Sequence, residues 1–278
     1  MNKNCATAIR NTCLYIALML ITVIMMTPFV WMLSSSLMTS AEMFYFPPKW
    51  IPNPPQWGNY AKTIEAMPFF LFIWNTLFIS GVGTFGMLLT SSVAAYTFAR
   101  MHFPGKQFIF AVLMACMMIP GQVTMIPIFL VMRSLGWVNT FLPLIVPMFF
   151  GGAYGIFMLR QFYSTIPTEL EDAAKIDGCS RLRIIFQIMM PLTKPALATL
   201  GIFTFMGKWN DLLGPIIYLN DFDKMTLSVG LAMFKGQYAT KYNLLMCGAV
   251  ISVMPILVVY LFAQRYFIEG IVMTGLKG

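Results

Sequence analysis

Long uncharged apolar runs alternate with short polar stretches along the whole chain. Several runs reach the ~20 residues an α-helix needs to cross a bilayer core of ~30 Å. Six such spans are predicted, at about 14–33, 69–98, 107–132, 141–159, 196–219 and 242–263. The run 69–98 carries no charge at all. The pattern therefore predicts an all-α integral membrane protein with six transmembrane helices. The first run is longer than a signal-peptide core and is followed by no small-residue cleavage site, so it is expected to be a retained membrane helix.

Composition agrees. Of the 278 residues, 59% are hydrophobic and 10% are charged, more apolar surface than one soluble core can hide. The net charge of +8 is spread along the chain, which excludes a nucleic-acid footprint and suits membrane orientation. With the N-terminus inside, eleven of the eighteen Lys and Arg fall in inner segments, among them Lys3, Arg265 and Lys277. The bias predicts N-in and C-in. Cys5, Cys13, Cys116, Cys179 and Cys247 have no paired spacing, which argues against a metal cluster. His102, the single histidine, falls in an inner loop and is expected to be solvated. Pro28, Pro120, Pro127, Pro143, Pro147, Pro215 and Pro255 lie in the spans, where proline frees backbone carbonyls and bends helices.

Two outer segments stand out. Residues 46–60 hold five prolines and two tryptophans, a composition for irregular structure at a membrane interface. Residues 220–241 have the pattern of a short apolar-faced element that contacts an outer partner, or of an ordinary surface loop.

The charges that the spans lack are concentrated in the loop 162–195, expected on the inner side. Thr168 and Glu171 have the spacing of a capping box, so a short helix is predicted to start there. Leu170, Ala173, Ala174 and Asp177 fall at i, i+3, i+4 and i+7, on one face. Gly178 is placed to end the helix, and Ser180 to cap a second one that carries Leu182, Ile184, Ile185, Ile188 and Met189. Spacing alone leaves two readings open, a solvated loop helix and a smooth docking face for a second protein.

The run Asp172-Ala173-Ala174-Lys175-Ile176-Asp177-Gly178, followed by Pro191-Leu192 and Pro195, resembles the EAA loop of membrane subunits of bacterial ATP-binding-cassette importers. Asp172 stands where that pattern has glutamate. Asn59-Tyr60, Asn75-Thr76-Leu77, Ala94-Ala95-Tyr96 with Phe98-Ala99-Arg100, Trp209-Asn210-Asp211 and Ile268-Glu269-Gly270 are similar to the carbohydrate-uptake group. The chain resembles the second permease of maltose-type and multiple-sugar importers. The resemblance implies a single permease domain over 1–278 in a bacterial inner (plasma) membrane. It implies partners: a second, related permease, two ATPase subunits and an extracytoplasmic sugar-binding protein. Thr168, Glu171, Asp172, Ala173, Ala174, Asp177 and Gly178 would form the coupling helix that docks on the ATPase. ATP and Mg would be bound by the partner ATPases, with no cofactor in this chain.

The fifth span carries Lys208, Trp209, Asn210 and Asp211. Ionisable groups within a span are costly and face a cavity or a partner. Lys208 and Asp211 are spaced to pair on one face. Trp209 and Asn210 suit a sugar ring and its hydroxyls, or serve to hold helices together. Gln122 and Thr124 in the third span and Asn75 in the second are further pathway candidates, with interhelical hydrogen bonding as the alternative. No GxxxxGK[ST], HExxH or GxSxG occurs, so ATP hydrolysis by a P-loop and these hydrolase chemistries are not expected of this chain. A self-contained secondary carrier is the alternative function, but it leaves the charged loop unexplained.

Overall fold

The computed structural model describes residues 3–237 and 241–275, with side chains described from 10 to 236 and, beyond 240, up to 261 and at 264. Lys277 and the side chains of Lys3, Cys5, Arg265, Ile268 and Glu269 lie outside the described residues. Among the described residues all regular structure is helical. The chain divides into two compact units, one of residues 1–68 with 231–254, the other of 69–230 with 255–278.

The first unit starts with α1 (Lys3–Ser36), 34 residues long. Every residue from 11 to 30 is exposed. A helix that is apolar all round and uncovered by its own chain is suited to lipid or to a membrane neighbour. A helix ends with four carbonyls lacking intrahelical partners; at α1 those of Ser34 and Ser35 accept from the following Leu37 and Met38 N–H groups, and side chains from elsewhere in the unit reach Ser36 and the turn after it. Asn59 Nδ2, in α2 (Gly58–Ala66), donates to the carbonyls of Ser36 at 2.9 Å and Met38 at 2.8 Å. Asn243 Nδ2 donates to Met38 at 3.1 Å. The proline-rich segment between these helices is irregular apart from a 3-10 turn, Glu42–Phe44, as its composition predicts.

The second unit is organised around α3 (Phe69–Arg100), an uninterrupted helix of 32 residues. Small residues let its neighbours approach closely. A Cβ on Gly83 would stand 2.3 Å from Met148 Sδ, and one on Gly86 2.4 Å from Phe149 Cδ2.

The third predicted span is not one helix. It consists of α4 (Lys106–Cys116) and α5 (Gly121–Ser134), bent by 100° at their break. With 11 and 14 residues, neither arm alone reaches the ~20 residues of a straight crossing. Pro120 is responsible: it has no N–H to donate, and its backbone is extended at ψ 133°.

The fourth span is realised over Leu142–Thr165. It comprises α6 (Leu142–Ile145), a 3-10 segment Val146–Phe150 and α7 (Ala153–Thr165). Ile166 ends α7 in extended conformation, because the following Pro167 disfavours helical geometry there. Next come α8 (Glu169–Ile176), α9 (Arg181–Ile184), a π-helical turn Ile185–Met189 and α10 (Met190–Leu192).

The fifth span also departs from expectation. The segment Arg181–Leu192 meets α11 (Lys194–Trp209) at 85°, with Thr193 at the corner and Pro195 in the first turn of α11. Instead of running to 219, the helix stops at Trp209, and a separate α12 (Leu213–Tyr218) follows. Of the two readings of the segment 220–241, the short element is the one formed, as α13 (Leu227–Gln237). It is followed by α14 (Tyr242–Gly275), whose apolar stretch Tyr242–Leu261 is the sixth candidate span. Among the described residues, four segments are long and apolar enough to cross a membrane, or up to six if each bent pair is one crossing.

Candidate functional site

The charged loop folds as a short helix held against the Arg100 end of α3. Glu169, Glu171 and Asp172 occupy the first turn of α8 and Lys175 the last, the order that complements a helix dipole. The capping box is not formed. Thr168 already has helical dihedrals, φ −69° and ψ −25°, and its side chain makes no cap bond; only its carbonyl accepts, from Glu171 N at 3.0 Å. Glu171 turns away from the helix start because stronger partners stand opposite. Its Oε1 lies 2.7 Å from Arg100 Nε, and its Oε2 accepts from the Tyr96 hydroxyl at 3.1 Å. The Arg100 contact is one of charge at short range, with the N–H direction outside hydrogen-bond alignment.

The end of α8 follows the sequence expectation in detail. Gly178 has φ +76°, the left-handed geometry glycine adopts at least cost. Cys179 N donates to Ala174 O at 2.9 Å and Gly178 N to Lys175 O at 3.0 Å, the paired bonds of a Schellman ending. Ser180 then caps α9, its hydroxyl accepting from Arg183 N at 3.4 Å.

The predicted docking face needs one correction. Ala174 is 6% exposed and belongs to the core with Ala95, Leu159, Tyr163 and Ile184. It shares the inward side with Glu171, one turn before it. The outward side carries Leu170, Ala173, Ile176 and Asp177, with Ile176 87% exposed. Asp172 is also outward and pairs with Lys175 at 2.9 Å. Beside the helix, Tyr96, Arg100, Met101, His102, Glu171, Lys175 and Arg181 line a cleft of about 240 Å³.

Arg100 was not singled out by sequence reasoning as part of this site. Two signals pointed to it: it is the cation that ends a charge-free run, and Glu171 is the carboxylate on the otherwise small inward side of α8. Arg100 Nη2 also donates to Tyr163 O at 2.7 Å and to Ile166 O.

The pathway candidates do not form one cluster. Lys208 and Asp211 pair at 3.1 Å, as their spacing predicts. Asp211 Oδ1 also accepts from Gly214 N at 3.1 Å, a first-turn N–H of α12, from one position before the N-cap residue Leu212. Trp209 is 3% exposed and stacks on Phe205 with centroids 5.7 Å apart. Asn210 is exposed and donates to Met206 O at 2.9 Å. Asn75 is buried, with Nδ2 bonded to Asp223 O at 2.8 Å and Met225 O at 3.0 Å. Gln122 is exposed near the start of α5, and Thr124 bonds to Gly121 O at 3.0 Å. A groove of about 390 Å³ lies along α11, lined by Met87, Pro147, Met148, Phe203, Thr204, Gly207 and Lys208, among others. Of the polar run in α11, Lys208 reaches this groove.

Residues 86–272 match the family model described as "Binding-protein-dependent transport system inner membrane component". The chain is 37% identical to the arabinooligosaccharides transport system permease protein AraQ of Halalkalibacterium halodurans, over 77% of this chain and 76% of the relative. It is 31% identical to the lactose transport system permease protein LacG of Rhizobium radiobacter, over 87% and 88% of the two chains. In fold it is similar to a chain of a bacterial ABC transporter involved in the import of the acidic polysaccharide alginate. That match has a TM-score of 0.81 at 23% identity and covers 96% of this chain and 99% of the other.

Proposed function

The chain belongs to the family of binding-protein-dependent transport inner membrane components, and from that premise we propose that it is a permease subunit of an ATP-driven sugar importer. The observation that carries the reading is α8. It is capped at its end by Gly178 and presents Leu170, Ala173, Ile176 and Asp177 outward, opposite its buried Glu171. An outward side that carries the exposed Leu170 and Ile176, on a helix too short to be a span, is suited to docking on a second protein. Relatives named for arabinooligosaccharide and lactose transport support a sugar as the solute.

In this reading the chain is one permease domain with six crossings, each bent pair counting as one, and both termini lie on the cytoplasmic side of the bacterial inner membrane. Asp172, Ala173, Asp177 and Gly178 form or shape the ATPase contact, Glu171 and Ala174 seat the helix, and Thr168 leads into its first turn. Lys208, Asn210 and Asp211 stand beside the pathway, with Trp209 and Asn75 supporting its wall and Gln122 at the mouth of the bent third span. Two separate ATPases bind ATP and Mg, a second related permease completes the channel, and an outer binding protein delivers the sugar.

Purification in mild detergent tests this. Recovery of an ATPase pair and a second permease with the chain is the expected result. A chain that purifies with neither, and carries a labelled arabinooligosaccharide into liposomes alone, overturns it.

A further inference from the structure

We propose that Arg100 and Glu171 are positioning residues for energy coupling: their contact is the link through which a displacement of α8 reaches α3. The proposal rests on the permease reading and goes beyond it, because it assigns the transmission step to one pair of side chains.

Arg100 is the last residue of α3. Its Nε stands 2.7 Å from Glu171 Oε1, and its Nη2 donates to the carbonyls of Tyr163 and Ile166. One guanidinium thus joins the end of α3, the end of α7 and the first turn of α8. A planar fork of five donors can hold such a junction, whereas a lysine ammonium lacks that geometry. Tyr96, four residues earlier on α3, holds the other carboxylate oxygen at 3.1 Å. The two charged side chains are 11% and 5% exposed, so the attraction is little screened by water.

The rest of α8 is weakly attached. Among the described residues, Glu171 carries the side-chain polar contacts from α8 to other helices, and Ala174 is its buried apolar residue. Leu170 and Ile176 are 45% and 87% exposed. A helix of eight residues seated by one alanine would tilt or roll when pushed on its outer side. The ion pair pins its first turn to the end of a 32-residue helix, so a push on α8 moves α3 with it.

The test uses the full complex with its ATPases and partner permease in lipid nanodiscs. Hydrogen–deuterium exchange is followed with and without ATP and Mg at residues 92–100 and 169–176. In the unmodified complex, nucleotide is expected to change exchange in both segments. Glu171→Gln is expected to keep the response of 169–176 and to reduce that of 92–100 by about 5-fold or more, the low end of typical couplings between sites. The charge swap Arg100→Glu with Glu171→Arg should restore part of it. Where Glu171→Gln prevents assembly, Arg100→Lys decides, since it keeps a charge and loses the fork.

Unaltered responses in both segments overturn the link. So does loss of the 169–176 response itself, because the pair then only builds the helix. An unmodified complex in which neither segment responds to nucleotide overturns the permease reading, and the link with it.

Discussion

Arg100–Glu171 and Lys208–Asp211 each join one cation to one carboxylate, at 2.7 Å and 3.1 Å. The first pair bridges two helices far apart in sequence and is almost fully buried. The second lies within one turn, i to i+3, with side chains 30% and 23% exposed. A local pair can only stiffen the helix end on which it sits. A buried, long-range pair fixes the position of one element on another, and it leaves an uncompensated charge if half of it is lost. The two pairs should therefore respond very differently to the same kind of substitution.

The largest effect is expected from Glu171→Ala, which strands Arg100. Breaking a buried pair costs about 3–5 kcal/mol, read as a lower midpoint of thermal unfolding in detergent. A loss below that of Lys208→Ala would remove the contrast between the pairs.

Gly178→Val comes next. A β-branched residue at φ +76° is strained by at least about 1–2 kcal/mol. Open space surrounds the glycine, so the strain is one of backbone and not of packing. Recovery of ATPases with the chain should fall several-fold while membrane insertion is kept; unchanged recovery would show that this turn does not set the docking geometry.

Asp211→Ala should cost about 1 kcal/mol through loss of the hydrogen bond that satisfies Gly214 N in the first turn of α12, and Lys208→Ala about 0.5 kcal/mol or less, as for a partly exposed pair. If the lysine variant lowers the unfolding midpoint more than the aspartate variant, the groove side of Lys208 matters more than the helix end.

The smallest effect concerns Asp221. Its carboxyl is held below the ordinary 3.8, first by Lys224 and then by Asn139. A depressed value means that its contribution is present above 3.8 and is lost as pH falls through the folded value. Asp221→Asn should lower stability slightly above pH 3.8 and leave it unchanged at more acid pH, so the acid limb of the profile flattens slightly.

The contrast also explains what was legible in the sequence. The Lys208–Asp211 pair, the stop at Gly178 and the Ser180 cap are local devices, and each occurs where spacing predicts it. Glu171 obeyed a nonlocal partner: a capping box was available, but a buried guanidinium outweighed an exposed amide. Ala174 was assigned outward because periodicity reports a face without saying which side the core is on. Prolines show the same limit. Pro28, Pro127 and Pro255 lie inside continuous helices, whereas Pro120 marks a break of 100°. All of these residues lack the same N–H, and only their packing environment decides between a tolerated bend and a corner.

The uncovered length of α1 has a consequence for how the chain is made. From 11 to 30 every residue is exposed, and the described fastening by Asn59 and Asn243 is confined to the end at Ser36 and Met38. Nothing synthesised later is needed to bury that stretch. Its apolar side chains can therefore enter lipid without first packing on α14 or any other helix of the chain, so insertion of α1 and folding of the helices after it are separable steps.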